Sequence, residues 1–277
     1  MPGCLYIVAT PLGNLEDLTL RALRVLREVD LIACEDTRRT ARLLRAYEIQ
    51  VPTTSYFDHN ARLKGDRILE WLREGKDVAL VSDAGTPTIS DPGFRLVRAA
   101  RDEGLVVRPV PGPSAAVAAL SVSGLPTDRF RFIGFLPARA GARGRALAEL
   151  AADPDTLVFF ESPLRIVACL ADMLDAFGER EAFLCREATK MHEEYAPGLL
   201  SGLHADLSGR PSIKGEVTLV VSGRQAMAAA PAGATASELF AELTKQGRTR
   251  RDAVKEVARV LGLPAREVYR QVLPTRA

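Results

Sequence analysis

The sequence predicts an α/β protein: two α/β domains with a cleft between them, followed by a small helical C-terminal appendage. Three observations carry this. Short, almost continuously apolar runs recur through the first 110 residues, with amphipathic segments between them. The same alternation resumes near Phe130, just past Pro126. Beyond residue 235 only helical patterns remain, and they are basic. Strands buried on both faces read as unbroken apolar runs, and strands alternating with helices imply a mainly parallel sheet.

The runs 5–9, 31–34, 53–57, 78–82 and 106–110 are short and rich in β-branched or aromatic residues, as buried strands are. Between them, 18–29 (LTLRALRVLREV) spaces leucine and valine by three and four behind Asp17, a candidate N-cap. Residues 62–74 and 94–103 follow the same helical pattern, and 114–123 is small and apolar, suited to a helix packed closely on a sheet. In the second set, 130–136 is a strand or connector and 139–151 an Ala/Arg-rich helix. Strands are expected at 156–161, 182–186 and 216–221, with a helix over Ile166–Phe177 stopped by Gly178. The expected domains are therefore 1–125 and 126–224, joined through an Ala/Gly/Pro linker to a helical region, 236–277. Three short helices are expected there, at 237–245, 251–261 and 264–273.

The composition narrows the function classes. No apolar run approaches the roughly 20 residues that span a bilayer, so no membrane association is expected. The opening has no basic n-region, so no signal peptide is expected. Cys4, Cys34, Cys169 and Cys185 are far apart, and most sit in strand-like runs. They read as buried free thiols in a reducing, cytoplasmic compartment. The three histidines lack metal-ligand spacing, so no metal is expected. The net charge is +2, but residues 245–277 hold nine Lys/Arg against three Asp/Glu. That basic tail on a mildly acidic body either meets an anionic partner or is a solvated helix surface.

Three Gly/Pro-rich loops each follow an expected strand: Thr10 through Asp17, Ser82 through Gly93, and Pro111 through Ala115. Ligands of open parallel sheets sit beyond the carboxyl ends of the strands, so three such loops together suit a nucleoside pocket. Each loop alone is ordinary turn chemistry. None is a Walker A loop or a G-x-G-x-x-G turn, which argues against P-loop and nicotinamide chemistry.

The run Val8-Ala9-Thr10-Pro11-Leu12-Gly13-Asn14-Leu15-Glu16-Asp17 resembles the opening of one branch of the tetrapyrrole methylase superfamily. That branch methylates the ribose 2′-oxygen of a cytidine in the decoding region of 16S ribosomal RNA. Further matches follow in order: Cys34 through Arg38, His59-Asn60, Ser82 through Gly93, Pro111 through Ala115, Gly134-Phe135-Leu136-Pro137, Phe160-Glu161-Ser162-Pro163, Arg186 through Lys190, and Lys214-Gly215-Glu216. Two positions depart from the family pattern. Leu164 stands where histidine is expected, and Ala188 where leucine is expected. The superfamily's tetrapyrrole enzymes open with a glycine-rich loop that this chain lacks, which disfavours the alternative of a tetrapyrrole C-methyltransferase. A non-catalytic nucleotide- or RNA-binding module is the third reading.

The resemblance implies S-adenosyl-L-methionine as cofactor, held in a cleft between the two α/β domains. It implies contacts from Pro11, Gly85, Ile89, Ser114, Ala115, Ala188, Lys214, Gly215 and Glu216, a homodimer, and 16S rRNA or the small ribosomal subunit as partner. Asp83 and Asp91 are placed either to bind polar groups of the cofactor or to stabilise their loop. Methyl transfer to a hydroxyl needs a proton acceptor, and the candidates are Glu35, Asp36, His59, Lys190 and Glu194. Asp36 is equally an N-cap, and His59 equally a loop-capping residue. Arg38, Arg39, Arg42 and Lys190 are placed either to meet RNA phosphates or to form surface ion pairs.

Overall fold

The computed structural model describes residues 2–57, 61–91, 93–224, 235–245, 249–261 and 263–272. In chain order the first half runs β1 (Cys4–Val8), α1 (Leu20–Glu28), β2 (Leu31–Cys34), α2 (Thr37–Ala46), β3 (Thr53–Ser55), α3 (Ala61–Arg73), β4 (Val78–Val81), α4 (Phe94–Asp102), β5 (Val106–Val110) and α5 (Ala115–Val122). The second half runs β6 (Phe130–Phe135), α6 (Ala140–Leu150), β7 (Thr156–Glu161), α7 (Ile166–Phe177), β8 (Glu181–Arg186), β9 (Glu194–Leu199), α8 (Leu200–Ser208) and β10 (Val217–Val221). These elements belong to one compact unit, residues 1–223; a second unit, residues 224–277, holds α9 (Ala236–Lys245), α10 (Arg250–Leu261) and α11 (Ala265–Val272).

The first sheet has the order β3-β2-β4-β1-β5, and all its pairings are parallel. Its central strands β2 and β4 are buried at every residue, which accounts for their unbroken apolar sequences. Helices cover both faces: Ala22, Val25 and Leu26 of α1 pack with Val8, Ile32 and Val81, while Ile68, Leu69 and Leu72 of α3 pack with Leu5, Ala33 and Leu80. The order places β4, β1 and β5 side by side, so the loops after their carboxyl ends are neighbours.

The second sheet is mixed, with order β6-β7-β10-β8-β9. Only β6–β7 is parallel; the other pairs are antiparallel. One face packs on α6, α7 and α8 through Leu147, Leu170, Leu203, Phe159 and Leu219. The opposite face, with Val158, Phe183 and Val220, packs on Ala116, Ala119 and Leu120 of α5. Helix α5 follows the first sheet in the chain yet covers the second, and its small residues permit the close approach.

Two sequence expectations change. Helix α1 begins later than expected, and its N-cap is Thr19, whose Oγ1 accepts the Ala22 N–H at 3.1 Å, rather than Asp17. Residues Leu15–Asp17 instead form a 3-10 turn capped by Asn14, and Leu18 is extended, so Asp17 cannot reach the first turn of α1. Strand β9 and helix α8 were not expected at all. All four cysteines are buried and unbridged, as expected. Among the described residues, no helix is long and apolar enough to cross a membrane.

Candidate active site

The three glycine-rich loops are hydrogen-bonded to one another beyond the carboxyl ends of β1, β4 and β5. Thr10 and Gly85 exchange backbone hydrogen bonds of 2.9 and 3.0 Å. Thr10 Oγ1 donates to the Ser82 carbonyl at 3.1 Å, and Thr86 Oγ1 donates to the Pro113 carbonyl at 3.0 Å. Gly85 has φ +79°, a conformation open to glycine at little cost. Thr88 (φ +76°) and Ser90 (φ +60°) also lie in the left-handed region, where a β-branched threonine is rare, so the 82–91 loop is held in a strained shape by its surroundings.

These loops form one wall of a cavity of about 410 Å³. From the first half it is lined by Leu12, Glu35, Arg39, Asp83 through Thr86, Ile89, Ser90, Asp91, Ser114 and Ala115. The facing wall comes from the ends of β6, β7 and β10: Phe135, Phe160 through Pro163, and Gly215 through Thr218. A smaller hollow of about 250 Å³ adjoins it, sharing Leu12 and Ser114 and reaching Asp17, Gly112 and Thr189.

The electrostatics of the large cavity are acidic. Burial, then the charge of Glu35, raises the Asp91 carboxyl to about 6, against a smaller lowering by the Ser82 hydroxyl. Asp83 accepts the Asp36 N–H at 3.1 Å and pairs with Arg39 at 3.3 Å, so one carboxylate ties the start of α2 to the 82–91 loop. Helix α5 opens at Ser114 without a side-chain cap, which leaves first-turn N–H groups beside the cavity.

Of the residues singled out from sequence, Glu35, Arg39, Asp83, Gly85, Ile89, Asp91, Ser114, Ala115, Gly215 and Glu216 meet around this cavity. Pro11 and Lys214 stand next to lining residues without lining the cavity themselves, and Ala188 adjoins Thr189 of the smaller hollow. Pro11 is buried between Thr10 and Leu12, and Ala188 packs against the cluster beneath α5. The Lys214 carbonyl accepts from Arg186 Nη1 at 3.1 Å. Asp36 caps α2, with its Oδ1 accepting the Arg38 N–H at 2.8 Å, and the Arg38 guanidinium holds its carboxyl at about 2. Lys190 donates to Glu187 at 2.7 Å and to Glu216 at 3.1 Å. Burial acts to lower its pKa, but the two carboxylates together outweigh it and the net shift is upward. Glu194, on β9, is bound by Arg210 and Arg186 and held at about 2. His59 lies outside the described residues. Leu164, at the position where histidine was expected, is 92% exposed.

Phe135, Phe160, Ser162, Ser90 and Thr86 also line the cavity, although the sequence by itself gives them no site role beyond membership of the motifs that contain them. The signal available was their place in ordered motifs at strand ends. The buried thiols do not contribute: burial pushes Cys169 up to about 12 and Cys185 up to about 11, so neither is a thiolate at neutral pH.

Residues 4–204 match the family model for tetrapyrrole (corrin/porphyrin) methylases. A protein of Micromonospora olivasterospora named ribosomal RNA small subunit methyltransferase I is 48% identical over 271 residues, 98% of this chain and 86% of that one. A protein of the same name from Thermotoga maritima is 49% identical over 223 residues, 80% of this chain and 100% of that one. Among solved structures, uroporphyrin-III C-methyl transferase from Thermus thermophilus, complexed with S-adenyl homocysteine, superposes with a TM-score of 0.55. The match has 21% identity and covers 79% of this chain and 97% of that one, a likeness of fold alone.

Proposed function

Since the chain belongs to the tetrapyrrole methylase family and, within it, to the ribosomal RNA small subunit methyltransferase I group, we propose that it methylates the ribose 2′-oxygen of a cytidine in 16S rRNA, with S-adenosyl-L-methionine as methyl donor. The identity of 48% along 98% of the chain carries this reading. The reading also places the protein in the cytoplasm, as a homodimer acting on the small ribosomal subunit.

The residues present fit the cofactor. It is a cation at sulfur and at its amino group, and the large cavity is lined by Glu35, Asp83, Asp91 and Glu216. Its carboxylate suits the uncapped start of α5 at Ser114 and Ala115, where N–H groups favour an anion. Gly85 and Gly215 keep the backbone open on opposite walls, both with positive φ. When bound, the cofactor supplies an electrophilic methyl group on a positively charged sulfur.

The rest of the chemistry belongs to the chain. Two tightly knit walls hold the reacting groups in register, and such positioning contributes roughly 7–11 kcal/mol to catalysis in well-oriented reactions. The ribose hydroxyl must lose a proton. Asp36 and Glu194, held at about 2 by arginines, are weak bases. Lys190 keeps its proton between two carboxylates and is suited to orient or to neutralise. Asp91 lines the cavity and, at about 6, is ionised at neutral pH while being a stronger base than an ordinary aspartate, so we assign it the proton-accepting role.

The test uses radiolabelled S-adenosylmethionine with small ribosomal subunits lacking this modification, free 16S rRNA and a tetrapyrrole precursor in parallel. Label recovered as 2′-O-methylcytidine in either RNA sample supports the reading. Label in the tetrapyrrole alone overturns it.

A further inference from the structure

We propose that Phe135 is the platform on which the base of the acceptor nucleotide stacks. This rests on the reading of the cavity as an RNA ribose-methylation site. The observation that carries it is a β-bulge in β6 that turns a large aromatic ring into the cavity.

Side chains alternate across a strand, so residues three apart belong on opposite faces. In β6, Phe132 pairs with Val158, and the register then slips so that Gly134 pairs with Phe159 and Phe135 with Phe160. Val158 and Phe160 belong to the face covered by α5, Phe159 to the opposite one. The extra residue therefore returns Phe135 to the face of Phe132 and Phe160, where regular alternation would have sent it into the α6–α7 layer. Bulges that re-aim a side chain recur beside active sites.

Gly134 makes this turn possible, with φ +71°. A Cβ there would also stand 2.9 Å from Ser90 Oγ of the 82–91 loop, so the bulge is seated against the cofactor wall. The ring is braced from behind: Phe160 meets Phe135 edge-on at 5.8 Å between centroids and Phe132 edge-on at 4.9 Å. Yet Phe135 itself is 56% exposed while lining the cavity. A rigid ring open to solvent lies at the mouth, where a nucleotide still joined to its RNA must arrive. Unstacked bases of single-stranded RNA are commonly held on aromatic faces, and that contact tolerates any base.

The test measures methyl transfer to small-subunit RNA and cofactor affinity for the wild type, Phe135→Ala, Phe135→Leu and Phe135→Tyr. Stacking of one base is worth enough that Phe135→Ala should weaken apparent RNA affinity by roughly five- to a hundredfold. Phe135→Leu keeps an apolar side chain without a π face and should lose nearly as much; Phe135→Tyr should stay near wild type. Binding of S-adenosylhomocysteine should be unchanged in all three, and the modified nucleotide should be the same. A Phe135→Leu variant as good as wild type, or a loss confined to cofactor affinity, overturns the proposal. If the wild type itself labels no RNA, the ribose-methylation reading fails first, and the platform falls with it.

Discussion

The stem of Lys190 lies directly against Gly13: a Cβ built on Gly13 would stand 2.2 Å from Lys190 Cγ. The loop after β1 and the turn after β8 thus fit together only because the first carries a glycine. The ammonium group is carried on to Glu187 and Glu216, and Glu216 lines the cavity.

Gly13→Ala should therefore displace Lys190. Overpacking of this kind costs about 1–3 kcal/mol, read by urea denaturation, and methyl transfer should fall with it. Lys190→Ala removes the obstruction, so Gly13→Ala should be nearly neutral in that background. A double-mutant cycle showing simple additivity would contradict the contact.

Asp91 gives a pH-dependent signature. Its carboxyl is raised from the ordinary 3.8 to about 6, so the folded protein binds more protons than the unfolded chain between those values. The proton favours the fold, and stability is lost as pH rises through that window. Asp91→Asn should be more stable than wild type at pH 8, by on the order of 1–3 kcal/mol, and equal to it below about pH 4. Methyl transfer should drop sharply in the same variant. Chemical denaturation at the two pH values checks the first claim and single-turnover assays the second.

Glu194 should behave in the opposite sense. Arg210 and Arg186 hold it at about 2, below the usual 4.5, so its contribution is complete above the unfolded value and disappears as pH falls toward 2. Glu194→Gln leaves two arginines without their shared carboxylate and should cost about 1–3 kcal/mol at pH 7. Because Glu194 does not line the cavity, kcat should remain near wild type; a large loss of kcat with unchanged stability would place it in the chemistry instead.

The C-terminal unit carries exposed Arg251, Lys255, Arg266 and Arg270 on α10 and α11. If these cations meet RNA phosphates, exchanging all four for glutamine should weaken RNA binding and reduce the salt dependence of log K by about 0.7–0.9 per lost phosphate contact. An unchanged salt slope would remove the tail from the RNA interface. Cofactor binding by the four-fold variant is the control, and it should be normal.

The first wall of the site was legible in the sequence because backbone geometry dictates it. Gly85 and the Ser114–Ala115 start of α5 lie where loops must turn sharply at parallel strand ends, and those demands leave glycine, proline and small residues behind. On the second wall the family resemblance supplied Gly215 and Glu216, but Phe135 was not legible, because it faces the cavity only through a one-residue slip in pairing with β7, and a bulge leaves no periodic trace. Strand β9 was not expected because its residues break the pattern of a strand. Its EYAPGL sequence contains Pro197 and Gly198, tolerated because it is an edge strand paired only with β8. The Asp17 cap failed because the 3-10 turn at Leu15–Asp17 competes for the same residues.

The most direct test of the central claim is the identity of the methylated nucleoside. Small subunits lacking the modification would be incubated with the protein and labelled S-adenosylmethionine, and their RNA digested and resolved by mass spectrometry. The account predicts 2′-O-methylcytidine from one site. Label on a base, or on the ribose of a different nucleoside, would contradict it.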